Sequence, residues 1–197
     1  MDDQLNLEEY GLGHLKGRNL LFIGESDITK LLDALSKEDM SINLPIRQTA
    51  KNLPWLLAQS NCRKCGKCCV PNPLNPTYPG IQILESELEP IAKYISVSLK
   101  KLKKKTPKGK PISSFVQPTE SEEMTRWLPL PCPFLDSKLK QCRIYPVRPF
   151  VCKLYPVLGG EKRLLTEIKV NCDYGKDIVR NAIKALREQR VRLKMLV

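Results

Sequence analysis

The feature that most constrains this chain is the cysteine run CRKCGKCC over residues 62–69. Four of the eight cysteines lie in it, as two overlapping C-x2-C spacings that share Cys65, with Cys69 directly after Cys68. Thiolates at this spacing can bind a soft metal centre from one short loop. Gly66 has the backbone freedom that such a loop needs. The run therefore predicts a metal site.

The adjacency of Cys68 and Cys69 bears on the number of metal centres. Because the side chains of neighbouring residues diverge, we expect these two thiolates to bind different centres, as in two-cluster ferredoxins. Eight thiolates then divide into two sets of four. The first set is Cys62, Cys65, Cys68 and Cys172. The second set is Cys69, Cys132, Cys142 and Cys152.

Disulfides, ordinary burial and a thiol redox pair each account for the cysteines less well than metal binding. A disulfide framework implies export, but the chain opens MDDQLNLEEY, which is acidic and lacks the apolar segment of a signal peptide. Ordinary buried cysteines do not cluster at this spacing. A single C-x2-C redox pair leaves the second overlapping pair without a role. We therefore expect metal-bound thiolates in a cytoplasmic protein.

The second half of the cysteine pattern contains a small repeat. Cys132, Cys142 and Cys152 recur with nine residues between them, and the last two open the units CRIYP and CKLYP. Each unit supplies a thiolate, a cation that balances its charge and apolar side chains that exclude water. Arg148 lies between prolines in PVRPF, and we expect it to balance thiolate charge more than to bind a ligand.

Hydrophobic periodicity predicts an α+β fold, in which a small cysteine-rich metal-binding domain with short strands and long loops is flanked by helices. Helices are predicted over residues 27–39 (with Ser26 as N-cap), 46–59, 86–95 and 177–195. Strands are predicted over residues 20–23, 124–130 and 163–170, with a rigid proline-rich loop over 70–80 and a turn at 159–160. The predicted domains are an N-terminal helical appendage (1–61), the cysteine-cluster domain (62–173) and a C-terminal amphipathic helix packed on it (174–197).

Basic residues outnumber acidic ones by 33 to 21, which gives a formal net charge of +12. The densest stretch is KKLKKKTPKGK, residues 100–110, which we expect to be a solvated helix end running into a mobile loop. The C-terminal helix is expected to have a solvated basic face formed by Arg180, Lys184, Arg187, Arg190 and Arg192. The alternative is that these surfaces bind a nucleic acid or an acidic protein. No apolar run approaches the length of a membrane span, so no membrane partner is expected.

The order of motifs resembles a known family. CxxCxxCC, then CPFL, then C-x-IY-P-x-RP-x-x-C and a late Cys172 are similar to the YkgJ-type cysteine-cluster family, which is described as a zinc- or iron-chelating domain. The resemblance covers about residues 62–172, and all eight cysteines fall on it in order. Flagellin lysine methylases look similar across the same motifs, which implies iron–sulfur clusters and protein methylation.

The metal and the reaction stay open at this stage. A C-x2-C-x2-C run is typical of a [4Fe–4S] cluster, whereas four-cysteine zinc sites usually pair two C-x2-C units, so one or two iron–sulfur clusters are favoured narrowly over Zn²⁺. The function is then a redox or methylation-type reaction supported by the cluster, a zinc-stabilised binding module, or a metal-carrying accessory protein. No catalytic residue is predicted, and whether the chain is an enzyme is left undecided.

Overall fold

The structure is a computed structural model, and it describes residues 5–49, 51–71, 80–109, 112–113, 122–158 and 165–195. Within these residues the chain forms six α-helices: α1 (Glu25–Lys37), α2 (Asn52–Leu57), α3 (Leu88–Tyr94), α4 (Leu99–Lys105), α5 (Phe150–Leu154) and α6 (Asp173–Met195). None of these helices combines the length and apolar character that crossing a membrane requires.

Short strands complete the described part of the chain. They are β1 (Ser41–Leu44), β2 (Ile81–Leu84), β3 (Ile112–Ser113), β4 (Glu122–Glu123), β5 (Thr125–Leu128), β6 (Leu135–Asp136), β7 (Gln141–Cys142), β8 (Val157–Leu158) and β9 (Thr166–Lys169). All pairings are antiparallel, in the sheets β1-β9-β8, β2-β5, β3-β4 and β6-β7. The predicted α+β fold class is confirmed.

The chain folds as two compact units. The terminal unit combines Met1–Arg63 with Pro156–Val197, and the central unit is Lys64–Tyr155. The residues after Pro156 join the N-terminal ones because β1 pairs along its whole length with β9. The predicted boundaries at residues 61 and 173 stay a prediction.

The terminal unit is built from two amphipathic helices and the β1-β9-β8 sheet. Helix α1 buries the apolar face predicted for it, Ile28, Leu31, Leu32 and Leu35. It begins after Gly24 instead of Ser26, with Glu25 and Asp27 in its first turn, where carboxylates interact favourably with free backbone N–H groups. Helix α6 begins four residues earlier than predicted and buries Ile178, Val179, Ala182 and Ile183.

One expectation for the terminal unit is wrong, and another is right for only part of its length. Residues 20–23 do not form a strand, because the Asn19 side chain accepts a hydrogen bond from the Leu21 N–H (2.9 Å) and starts a 3-10 helix over Leu20–Phe22. The predicted helix over 46–59 is reduced to α2, which the Thr49 hydroxyl caps by accepting from the Asn52 N–H (3.0 Å). The strand β1, which precedes it, was not predicted.

Arg187 is not part of a solvated basic face, contrary to expectation. Its guanidinium donates to the main-chain carbonyls of Leu21 (2.9 Å), Leu20 (3.3 Å) and Ile23. These carbonyls lie at the end of the 3-10 helix, where the helix itself provides no N–H donors for them. The Arg187 side chain therefore caps the 3-10 helix from its position on α6. The side chains of Arg190 and Arg192 lie outside the described residues.

The central unit packs α3 and α4 against the β2-β5 sheet around one apolar core. The predicted helix over 86–95 corresponds to a 3-10 turn at Glu85–Glu87 followed by α3. A left-handed Ser96 (φ 54°) ends that helix, and Ser98 caps α4 by accepting from the Lys101 N–H. The strands predicted over 124–130 and 163–170 are confirmed as β5 and β9.

The segment after α4 is not a mobile loop over residues 106–109. The Gly109 N–H donates to the Thr125 carbonyl (2.8 Å), and the Pro107 carbonyl accepts from the Trp127 N–H (2.9 Å), so the segment pairs with β5. The predicted proline-rich loop lies outside the described residues between 72 and 79, as do Lys110 and the predicted turn at 159–160.

Replacing Arg187 by Met tests its capping role. The change leaves three carbonyls without this donor, and we expect the free energy of unfolding to fall by about 1–3 kcal/mol. The matched control is Lys184→Met, because Lys184 is exposed on the same helix and should change stability by no more than about 0.5 kcal/mol. The measurement is urea denaturation followed by far-UV circular dichroism. Equal stability of the two variants would contradict the capping role.

Candidate metal centre

The cysteine run folds into a tight turn, as Gly66 predicted. Gly66 is left-handed (φ 73°) and precedes a 3-10 helix over Lys67–Cys69. The Cys69 N–H donates to the Gly66 carbonyl (2.9 Å), which closes the turn. Cys68 is half-buried and Cys69 is buried, so the turn directs its last two cysteines toward the core of the central unit.

Position 66 needs a glycine for a second reason besides its left-handed backbone, because a side chain there would clash with neighbouring atoms. A Cβ built on it would lie 2.7 Å from the Lys140 carbonyl oxygen and 2.8 Å from a methyl carbon of Leu135. Both distances are shorter than real Cβ contacts, and the Lys140 oxygen belongs to the main chain, which cannot rotate away. The cysteine turn therefore lies directly against the segment that joins β6 to β7.

A second main-chain contact fixes Cys132 beside the turn. The Cys132 N–H donates to the Cys69 carbonyl (2.7 Å), and the Cys132 carbonyl accepts from the Leu135 N–H (3.0 Å). Strand β6 then pairs with β7, which places Cys142 opposite Leu135. These bonds bring together cysteines that are far apart in the chain.

The sulfurs of Cys68 and Cys69 lie 4.0 Å apart. The expectation that these neighbouring side chains diverge is therefore wrong. Successive side chains of an extended strand point to opposite faces, about 180° apart, whereas those of a 3-10 turn are only about 120° apart, so the two sulfurs can approach each other. Cys132 also interacts with the Cys69 thiol and raises its pKa.

These contacts shift the pKa values of the three thiols in opposite directions. The interactions with Cys132 and Cys68 raise the pKa of Cys69. The hydrogen bond from Cys69 lowers the pKa of Cys68 and lowers the pKa of Cys132 to about 7. Arg143 also favours the Cys132 thiolate, and its guanidinium donates to the Pro133 carbonyl (2.7 Å).

Cys142 and Cys152 belong to the same group of thiols. Burial raises the pKa of Cys142, and the charges of Cys132 and Cys68 act in the same direction. Burial followed by the charges of Cys68, Cys132 and Cys142 raises the pKa of Cys152 to about 12. Five cysteines of the central unit therefore interact electrostatically. The assignment of Cys68 to a different centre from these four stays a prediction.

Helix α5 is positioned by a residue that the sequence did not single out. The Glu87 carboxylate accepts from the Phe150 N–H (2.5 Å) at the start of α5 and from the Leu84 N–H (2.9 Å) at the end of β2. It thereby fixes the helix that carries Cys152. Phe150 follows Pro149 at a helix start that needs an acceptor, but no sequence signal connects it with Glu87, 63 positions away.

Arg148 has the charge-balancing role that its position between prolines predicted. Its guanidinium lies 4.1 Å from the centre of the Tyr145 ring, and the Lys64 ammonium lies 4.6 Å from the same centre. Stacking on the ring limits the motion of Arg148. Its charge lowers the pKa of Cys68 and acts against the rise in the pKa of Cys142, which makes it a cation beside the thiols.

The remaining three cysteines do not belong to this group of five. Cys65 is exposed in the central unit, while Cys62 (half-buried) and Cys172 (buried) lie in the terminal unit. Arg63 forms ion pairs with Asp173 (3.3 Å) and Asp177 (2.8 Å). Because Arg63 follows Cys62 and Asp173 follows Cys172, these ion pairs bring the two cysteine-bearing segments together.

The thiols of the central unit fit a metal ion in chemistry and in part in geometry. In a tetrahedral site with Zn–S bonds of about 2.3 Å, neighbouring sulfurs are about 3.8 Å apart, close to the Cys68–Cys69 separation. Within the described residues, no three Cys, His, Asp or Glu side chains are arranged closely enough to hold an ion. A site of four thiolates therefore requires rotation of at least two further cysteines toward this pair.

Comparison with known families also indicates metal chelation. A family model described as "CxxCxxCC: Putative zinc- or iron-chelating domain" matches residues 61–173, more than half of the chain. The chain belongs to the CxxCxxCC family. The match confirms the resemblance to a zinc- or iron-chelating domain, and it contains all eight cysteines of this CxxCxxCC protein. No solved structure matches the chain.

Replacing Gly66 by Ala tests the close approach of the turn to Lys140. The variant combines a left-handed backbone penalty of about 1 kcal/mol with a main-chain clash, so we expect a larger loss of stability and reduced metal content. Gly11→Ala is the matched control, because Gly11 is also left-handed (φ 66°) but has open space around its Cβ position. The measurements are thermal unfolding and elemental analysis. Equal effects of both substitutions would contradict the contact.

Proposed function

We propose that the central unit holds one zinc or iron ion on four thiolates. Cys68, Cys69 and Cys132 would supply three of them, and Cys142 or Cys152 the fourth. The observation that carries this proposal is the 4.0 Å separation of the Cys68 and Cys69 sulfurs, which matches one edge of a tetrahedral thiolate site. The main-chain hydrogen bond from the Cys132 N–H to the Cys69 carbonyl (2.7 Å) supports Cys132 as the third ligand.

The same separation favours a single ion over a [4Fe–4S] cluster. In a cubane each thiolate binds its own iron and points outward from a corner, so the sulfurs of two ligands are farther apart than in a tetrahedral site. Two adjacent cysteines on one ion reverse the narrow preference for iron–sulfur that the spacing alone gave. The iron alternative that agrees with this geometry is a single iron on four cysteines.

The metal is proposed to stabilise the fold. Cys69 (8% exposed) and Cys132 (7% exposed) belong to the apolar core together with Ile83, Leu128 and Phe134. An ion bound there would be closed off from substrate, as structural sites are, and would crosslink the cysteine turn to the segments around it. We propose a cytoplasmic location, because a reducing compartment keeps such thiolates available.

The other cysteines are candidates for a second centre. Cys62 and Cys172 of the terminal unit remain proposed ligands there, supported by the Arg63–Asp173 ion pair (3.3 Å) that joins their segments, and Cys65 remains a proposed metal ligand of the central unit. A redox or methylation-type reaction, as the similarity to flagellin lysine methylases implies, would need an iron–sulfur cluster. This cluster-dependent reaction is therefore the second candidate function. The acid-labile sulfide content of the protein distinguishes it from the structural metal ion.

Metal and acid-labile sulfide analysis tests the kind of centre. The protein is purified anaerobically, and zinc and iron are measured together with sulfide on the same sample. We expect zinc or iron without stoichiometric sulfide, and a colourless preparation if the metal is zinc. A brown protein with about four irons and four sulfides per cluster would contradict the proposal and favour the redox candidate.

Serine substitution of the adjacent cysteines tests whether they share one ion. Cys68→Ser and Cys69→Ser each weaken soft-metal binding, so we expect either variant to lose about one ion and the double variant to lose no more than either. Val70→Ala is the control, because Val70 is the next residue and is 41% exposed. Metal content after gel filtration is the measurement. Additive losses in the double variant would assign the two cysteines to separate centres.

A further inference from the structure

A shallow cavity of about 440 Å³, wide open to solvent, lies on the central unit beside α4. The described residues that line it are Leu99, Lys100, Lys103, Lys104 and Arg126. Four of these five are cationic, and the cysteines of the metal centre are not among them.

The positive charge of this cavity is only partly neutralised. Glu85 pairs with both Lys103 (2.5 Å) and Arg126 (2.7 Å), so one carboxylate serves two cations. In the part of the chain that the structure describes, Lys100 and Lys104 have no carboxylate partner. These lysines are spaced i, i+4 on one helix, where like charges repel each other. An anion between them would remove this repulsion.

Arg126 lines the cavity, and its guanidinium group is held in a fixed position. It is 6% exposed, and its guanidinium donates to the carbonyls of Lys103 (2.9 Å) and Thr106 (2.8 Å) as well as to Glu85. These bonds hold its charge in place before any ligand arrives, so little side-chain entropy is lost on binding. The Lys100 and Lys104 side chains, which extend from α4, can then bind the same ligand.

We propose that this cavity binds a linear oligophosphate, either free or as the tail of a nucleotide. Clustered lysines and a buried arginine are complementary to several phosphate charges held close together. None of the described residues that line the cavity is aromatic, so charge and not base stacking would be recognised.

Calorimetric titration of the full chain with tripolyphosphate tests the proposal, at fixed moderate salt because screening weakens such contacts. The Lys100→Gln/Lys104→Gln variant should bind about tenfold or more weakly, since it loses two charge-assisted hydrogen bonds. The matched control is Lys101→Gln/Lys105→Gln, which removes the same charge from positions of α4 outside the cavity. It should bind within about threefold of the unsubstituted chain, as expected for a distant screened charge.

Three results would overturn the proposal. They are no binding of tripolyphosphate, equal weakening in both variants, and tight binding of single-stranded RNA that both variants weaken equally. ATP is titrated in parallel: binding of both ligands assigns the cavity to a nucleotide tail, and binding of tripolyphosphate alone assigns it to free oligophosphate. Either outcome supports the proposal when Lys100→Gln/Lys104→Gln weakens it.

Metal content before and after each titration separates this inference from the proposed function. Oligophosphates chelate divalent metals, so heat from metal extraction must be distinguished from heat of binding. Both variants keep all eight cysteines, and extraction would give them the same signal. The difference between the variants therefore reports the cavity alone, whether the centre contains zinc, iron or an iron–sulfur cluster.

Discussion

The burial of thiols inside an apolar core is the constraint on which the central unit depends. Cys69 and Cys132 occupy core positions among aliphatic and aromatic side chains, and burial disfavours an unpaired thiolate there. The hydrogen bonds among Cys68, Cys69 and Cys132 reduce this penalty, because one proton can serve neighbouring sulfurs. A metal ion would remove it more fully by replacing protons with a positive charge.

Backbone geometry makes that burial possible. A left-handed Gly66 turns the chain so sharply that Cys68 and Cys69 converge, and its missing side chain lets the turn lie against Lys140. The hydrogen bond from Cys132 to the Cys69 carbonyl then aligns a distant segment with the turn. The thiols are thus gathered by main-chain contacts that do not themselves involve a sulfur atom.

The basic residues of this protein have several different structural roles, which cannot be read from the net charge. Arg148 and Arg143 favour thiolates, Arg187 caps a 3-10 helix, and Arg126 joins α4 to β5 through main-chain carbonyls. Lys100 and Lys104 contribute to none of these contacts within the described residues. The high net charge therefore combines several local electrostatic roles with the two α4 lysines that we propose bind an anionic ligand.

The sequence by itself determined the α+β class, the apolar face of α1, the strands β5 and β9, and the family, because these depend on periodicity and spacing along the chain. It also indicated that Gly66 would allow a tight turn. Only the tertiary structure decided that Cys68 and Cys69 converge, that β1 pairs with β9 and that Glu87 fixes the start of α5. Sequence spacing cannot determine these features, because each depends on local turn geometry or on a contact between residues far apart in the chain.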